Sequence, residues 1–94
     1  MQYQYKVIVK GKNLYREFEL STDMMVVKLG TTPVCEFRMN AERFFSTIEL
    51  AFQKNAEQWT LECNDEVYLS KGDMRKIFAI DLKHGDVFSV RYNE

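Results

Sequence analysis

The residues of this chain that could do chemistry are few and scattered. Its one histidine, His84, stands between Lys83 and Gly85 with Asp86 just beyond. A general base needs a nucleophile or carboxylate held within hydrogen-bond reach, and no such constellation accompanies His84. Lys83-His84-Gly85-Asp86 has instead the make-up of a tight turn, in which Asp86 accepts from local backbone amides and His84 faces solvent. Ser46 lacks the Gly-x-Ser-x-Gly elbow of a hydrolase nucleophile. Gly30-Thr31-Thr32 lacks the length and the lysine of a phosphate-cradling P-loop. Cys35 and Cys63 have neither Cys-x-x-Cys spacing nor a histidine nearby to complete a metal set. They read as small apolar core residues of a reducing compartment rather than as a disulfide. Glu62, Asp65 and Glu66 fit no Ca²⁺-loop spacing and read as a solvated hairpin tip. The expectation is a domain with no catalytic residue, no metal, no cofactor and no small-molecule substrate.

The elements that must position any site follow from composition and periodicity. Ninety-four residues with 46% hydrophobic and 29% charged content suit a single globular domain, 1–94. Seven Phe, five Tyr and one Trp favour pleated, half-buried surfaces. Net charge is −1, with 7 Lys/Arg against 5 Asp/Glu in residues 1–47 and 6 against 9 in 48–94. No basic stripe emerges, which argues against nucleic acid and anionic membranes as partners. No apolar run approaches the roughly 20 residues of a spanning helix. A cytoplasmic domain is expected, free or carried on a membrane-anchored parent.

Period-two alternation dominates. Over 3–9, Tyr3, Tyr5, Val7 and Val9 alternate with Gln4, Lys6 and Ile8, and Gly11-Lys12-Asn13 reads as a hairpin turn. The return strand 15–20 places Phe18 and Leu20 opposite Glu17 and Glu19. Val26–Leu29 is a short strand ending at Gly30; Met24-Met25 reads as core filling. Cys35, Phe37 and Met39 face inward against Glu36 and Arg38. Phe37→Ala is therefore expected to cost about 3–5 kcal/mol, and Arg38→Ala no more than about 0.5. Trp59, Leu61 and Cys63 face inward against Thr60, Glu62 and Asn64. Val67–Leu69 is a strand followed by a polar loop from Ser70 to Lys76. Phe78, Ile80 and Leu82 alternate, and a closing strand Val87–Tyr92 points Phe88, Val90 and Tyr92 inward. Residues 44–53 fit a strand with Ile48, Leu50 and Phe52 inward. They also fit a helix on which Phe44, Phe45, Ile48, Ala51 and Phe52 share a face, with Asn40 as N-cap. Leu50 misfits the helix, and regular strand spacing on both sides favours strand. The fold expected is an all-β sandwich of short, mostly antiparallel strands. The alternative is an α+β ubiquitin-like ββαββ fold with a helix over 41–54, acting as an adaptor or secretion accessory protein.

Val27-Lys28-Leu29-Gly30 followed by Cys35-Glu36-Phe37-Arg38-Met39 resembles the opening of a forkhead-associated (FHA) domain. There, a strand ending in Gly-Arg precedes a Cys-Asp-Ile-x-Leu-like strand. Ser46-Thr47-Ile48-Glu49 lies where that family has Ser-x-x-His, and Trp59-Thr60-Leu61 resembles its Trp-x-Leu strand. Leu82-Lys83-His84-Gly85-Asp86-Val87-Phe88-Ser89-Val90 resembles its closing Leu-x-x-Gly-Asp-x-Ile-x-Ile signature. The early Lys-Val-Ile-Val-Lys strand and Val67-Tyr68-Leu69-Ser70-Lys71-Gly72-Asp73 are most similar to degenerate N-terminal FHA domains. Those belong to the membrane-bound FtsK/SpoIIIE-type ATPase of Gram-positive type VII secretion. The resemblance implies a protein–protein interaction module forming the N-terminal part of a larger protein.

It also implies a site, and the departures from it. The family grips phosphothreonine with an Arg after the Gly, the Ser of Ser-x-x-His and a later Asn. Here Thr31 stands for the Arg and Glu49 for the His; Ser46 is retained, and Asn64 aligns with the Asn. A phosphate of about −1.5 to −2 charge needs charge-assisted donors, so the standard phosphothreonine site is expected to be lost. On this alignment Thr31→Arg is expected to restore weak binding, with Glu49 keeping it poor. The binding edge implied is Thr31, Thr32, Ser46, Thr47, Glu49, Asn64, Ser70, Lys71 and Arg75.

Overall fold

The structure, a computed structural model, describes residues 5–11, 14–21, 23–56, 58–72 and 75–93. Tyr3 and Gln4 of the expected first strand, Lys12 and Asn13 of the expected turn, and Asp73 of the polar loop lie outside the described residues.

The described chain is all-β. Its strands are β1 (Tyr5–Gly11), β2 (Leu14–Leu20), β3 (Val26–Gly30), β4 (Phe37–Arg38), β5 (Glu49–Asn55), β6 (Gln58–Cys63), β7 (Val67–Ser70), β8 (Ala79–Asp81) and β9 (Ser89–Tyr92). A central sheet runs in the order β4-β3-β5-β6-β8, and two-stranded sheets pair β1 with β2 and β7 with β9. Every pairing is antiparallel except β3 with β4. Phe18 and Leu20 from β2 and Val67 and Leu69 from β7 join Val27, Leu29, Leu50, Phe52, Trp59 and Leu61 of the central sheet in one core. The central sheet thus forms one layer of a sandwich, and the two hairpin-like sheets form the other.

Alternation in the sequence becomes burial in the structure because a strand sends successive side chains to opposite faces. Cys35 and Met39 are buried and Phe37 half-buried, while Glu36 and Arg38 are exposed. Yet only Phe37–Arg38 of that segment joins the sheet, opposite Leu29 and Gly30. The Glu36 side chain takes the place of a longer ladder: its carboxylate accepts the Lys28 backbone N–H at 2.6 Å. That bond holds the Glu36 carboxyl below the usual carboxylate range. Phe37 stacks on Phe18 at 4.5 Å between ring centroids. Phe37→Ala is expected to cost about 3 kcal/mol, the lower end for a truncated phenylalanine because the ring is only half-buried. Arg38→Ala should stay within about 0.5 kcal/mol. Equal losses in parallel urea titrations would reverse the assigned faces.

Residues 41–54 hold no α-helix. Ala41–Arg43 form a single 3₁₀ turn, and β5 begins at Glu49. Asn40 does cap, but caps that short turn: its Oδ1 accepts the Glu42 N–H at 3.0 Å. Ile48, Leu50 and Phe52 are buried as a strand requires, which removes the ubiquitin-like arrangement. The strand is shorter than 44–53, since Phe44 and Phe45 lie in the loop before it.

Three apolar positions depart from expectation. Met24 packs against the core, but Met25 is exposed. The closing strand spans Ser89–Tyr92, leaving Val87 80% exposed outside it and Val90 largely exposed within it. The reason is that β9 has β7 as its only ladder partner among the described residues and covers the core from an edge, through Tyr92 and the preceding Phe88. The 83–86 turn forms as expected. Gly85 takes a positive φ of 87°, the Asp86 N–H donates to Lys83 O at 3.1 Å, and the Asp86 carboxylate accepts the Lys83 N–H at 2.8 Å.

Candidate functional site

The end of the sandwich where β3 finishes and β5 begins is built by backbone contact. Gly30 pairs with Glu49. A Cβ at Gly30 would lie 2.0 Å from the Ile48 carbonyl oxygen, so only glycine lets the 46–49 segment approach this closely.

Thr31, next in the chain, is 7% exposed. Its N–H donates to Ile48 O at 2.9 Å, and its hydroxyl accepts the Ile48 N–H at 3.2 Å. The Thr31 side chain therefore works as a strap between two loops.

Asn64, just past the end of β6, straps the same segment. Its Oδ1 accepts the Glu49 N–H at 3.0 Å and its Nδ2 donates to Thr47 O at 2.7 Å. Lys28 Nζ meets the Glu49 carboxylate at 3.0 Å, and that hydrogen bond raises the lysine pKa. Glu49 is half-buried and turned to Lys28. Thr31, Asn64, Lys28 and Glu49 thus spend their polar groups on one another's loops.

What remains open at this end is different chemistry. Thr47, Pro33 and Val34 are exposed, and Thr32 and Ser46 partly so. Phe45 is 97% exposed. Its N–H donates to the Tyr92 hydroxyl at 3.2 Å, and its ring meets the Tyr92 ring edge-on at 5.9 Å. Only the helical alternative for residues 44–53 placed Phe45 on an inward face. The Phe44-Phe45 doublet held the signal, because adjacent residues of an extended chain point opposite ways and cannot both enter the core.

Ser70, Lys71 and Arg75 do not join this cluster. Ser70 is buried opposite Ser89. Lys71 pairs with Asp86 at 3.1 Å and lies over the Phe88 ring at 5.3 Å. The 82–86 segment is tied to the other end of the central sheet, since Leu82 N–H donates to Trp59 O and Gln58 Nε2 donates to Leu82 O. Asp86 is held below the usual aspartate range, first by the Lys83 N–H and then by Lys71. Arg75 is exposed on the way back to Ile77. His84 is exposed in the turn beside Asp86.

Both cysteines are free thiols; Cys35 is buried, and burial pushes the Cys63 thiol up, away from the reactive thiolate. Among the described residues no group of three His, Cys, Asp or Glu could hold a metal ion. Nor is any helix among them long and apolar enough to cross a membrane.

Comparison of the chain with family models, with characterised proteins and with solved structures gives no match.

The strap yields a direct expectation. Thr31→Val keeps the shape but strands the buried Ile48 N–H, so it should cost about 1–3 kcal/mol. Thr47→Val, at an exposed position of the same edge, should stay within about 0.5. The position also changes the expectation for Thr31→Arg: an arginine there loses the Ile48 bond before it can meet any phosphate. Loss of stability, read by thermal melting, replaces restored binding as the expected outcome.

Proposed function

We propose that this chain is a non-catalytic protein–protein interaction module, FHA-like in the order of its segments, without a standard phosphothreonine site. On that resemblance, its role is that of a docking or regulatory domain of a type VII secretion ATPase. Its binding edge comprises Thr32, Val34, Phe45, Ser46 and Thr47. The observation that carries this reading is the contrast at that edge between polar groups consumed internally and an aromatic ring left open. Thr31 and Asn64 are bonded to the Ile48, Thr47 and Glu49 backbone, and Lys28 is neutralised by Glu49. A phosphate would find the neutral hydroxyls of Ser46 and Thr47, whereas its recognition rests on charge-assisted donors. Phe45 instead offers a large, exposed apolar anchor of the kind that dominates interface energetics.

Two measurements test this. At the loop edge, read by the amide shifts of Thr31, Ser46, Thr47 and Asn64, phosphothreonine peptides should bind no better than their unphosphorylated forms. The two charge-assisted contacts missing here are worth about 1.5–3 kcal/mol each, or roughly two orders of magnitude or more together. Phosphate-dependent shifts of those amides at micromolar peptide would show that the site is intact. In the native host, a photo-crosslinking phenylalanine analogue at position 45 should trap a discrete protein adduct. The same group at Gln53, exposed on β5, should trap none. Absence of a preferred adduct at 45 removes the edge from consideration.

A further inference from the structure

We infer that the cleft between β2 and the β4–3₁₀ segment is a second binding site, one that takes an oxyanion side chain of a peptide. The cleft has a volume of about 560 Å³, is open to solvent, and is lined by Arg16, Arg38, Met39, Asn40, Ala41 and Glu42. It lies apart from the loop edge proposed above and does not depend on that reading.

Arg16 is out of place by the pattern of its own strand. Leu14, Arg16, Phe18 and Leu20 share one face of β2, and the three apolar members pack in or against the core. Arg16 stays exposed between Leu14 and Phe18 in that row, with its guanidinium 5.3 Å from the Phe18 ring. The stack on Phe18 holds a planar cation at the cleft wall without spending its N–H donors. Arg38 faces the same cleft from β4 and is also exposed. Among the described residues no carboxylate lies within ion-pair distance of either arginine. This contrasts with Lys6, Lys28 and Lys71, each of which has an acidic partner. Asn40 adds a donor, because its Oδ1 is engaged by Glu42 N–H and its Nδ2 has no partner among the described residues.

Two guanidinium forks and an amide N–H suit a carboxylate or phosphate group, which accepts paired parallel hydrogen bonds. The rest of the ligand follows from the walls. The cleft is too open to enclose a small molecule by most of its surface. Two cations are too few for a membrane or nucleic-acid surface, which is held by many. On both sides the cleft is bounded by strands with a free edge among the described residues, where β2 pairs only with β1, and β4 only with β3. An extended peptide with an acidic or phosphorylated side chain matches those edges, by strand addition with a side-chain anchor. Glu42 at the rim sets a limit, disfavouring further negative charge beside the anchor.

The test titrates the ¹⁵N-labelled chain with short extended peptides that differ only at a central Glu, phosphoserine or Gln. The Arg16 and Arg38 Nε–Hε signals and the amides of residues 38–42 should shift with the Glu or phosphoserine peptide. The Gln peptide should shift them little. Arg16→Gln and Arg38→Gln should each weaken the preferred peptide about tenfold or more. High salt should weaken it in the unsubstituted chain, which keeps the test alive if either variant unfolds. Preference for phosphoserine or for Glu identifies the source of the oxyanion. Phe45→Ala should leave these shifts unchanged, which separates this site from the loop edge. Equal shifts with the Gln peptide, or shifts that ignore both substitutions and salt, overturn the proposal. So does tight binding to anionic vesicles with the same arginine dependence, which would make the ligand a lipid surface.

Discussion

Gly30→Ala is expected to cost this domain about 3 kcal/mol or more, a large share of the roughly 5–15 kcal/mol that keeps a domain folded. The added Cβ would sit 2.0 Å from the Ile48 oxygen and 2.8 Å from its carbonyl carbon. Both are backbone atoms, so no side chain can swing away to make room. Relief requires β3 and β5 to separate where Gly30 meets Glu49. The Thr31–Ile48 bonds and the Met39 N–H bond to Gly30 O, at 2.7 Å, would be lost with that separation. Gly11→Ala is the matched control, because a Cβ there meets Leu14 at an ordinary 3.6 Å. Urea titration of both variants should show a collapse of the midpoint for position 30 and a shift within about 0.5 kcal/mol for position 11. A wild-type midpoint for Gly30→Ala would mean that the 46–49 segment does not press on β3.

The second large effect separates two aromatic residues by burial alone. Trp59→Ala is expected to cost about 3–5 kcal/mol, since the indole is 4% exposed in the middle of the core between β5 and β8. Phe45→Ala should be neutral in stability, within about 0.5 kcal/mol, because its ring is almost wholly in water. Its loss should appear in binding, as reduced capture of the partner trapped at the loop edge. Chemical denaturation measures the first pair of numbers, and competition of the unlabelled variant in the crosslinking assay measures the second. A Phe45→Ala variant that melts like Trp59→Ala would assign Phe45 to structure and remove it from the edge.

The same contrast shows where local pattern suffices. Alternation is a property of the extended chain itself, so it assigned Phe18 and Leu20, Cys35 and Met39, and Trp59 and Leu61 to the inside without any knowledge of neighbours. Over residues 44–53 alternation fitted a strand and helical spacing fitted a helix with Leu50 as the misfit, and the regular strand spacing on both sides favoured strand. Gly85-Asp86 was readable for a similar reason, because turn chemistry is satisfied within four residues.

Which strand lies beside which, and for how long, depends on partners distant in sequence. The Cys35–Met39 alternation is five residues long, yet only two of them enter the sheet because the Glu36 carboxylate occupies the Lys28 N–H. Val90 alternates correctly and is still exposed, because β9 lies at an edge. The site was the least legible part. Thr31, Asn64 and Glu49 are polar residues at plausible loop positions, and nothing local says whether their hydrogen bonds go outward or inward. Only the approach of the 46–49 segment to Gly30 directs Thr31 onto Ile48 and Asn64 onto Thr47 and Glu49. Only the register of β6, β7 and β9 carries Lys71 to Asp86 at the opposite end. Side-chain facing is set by the geometry of one strand, and so the sequence by itself determined it. The destination of each polar group is set by the long-range contacts that compete for it, and those exist only in the folded chain.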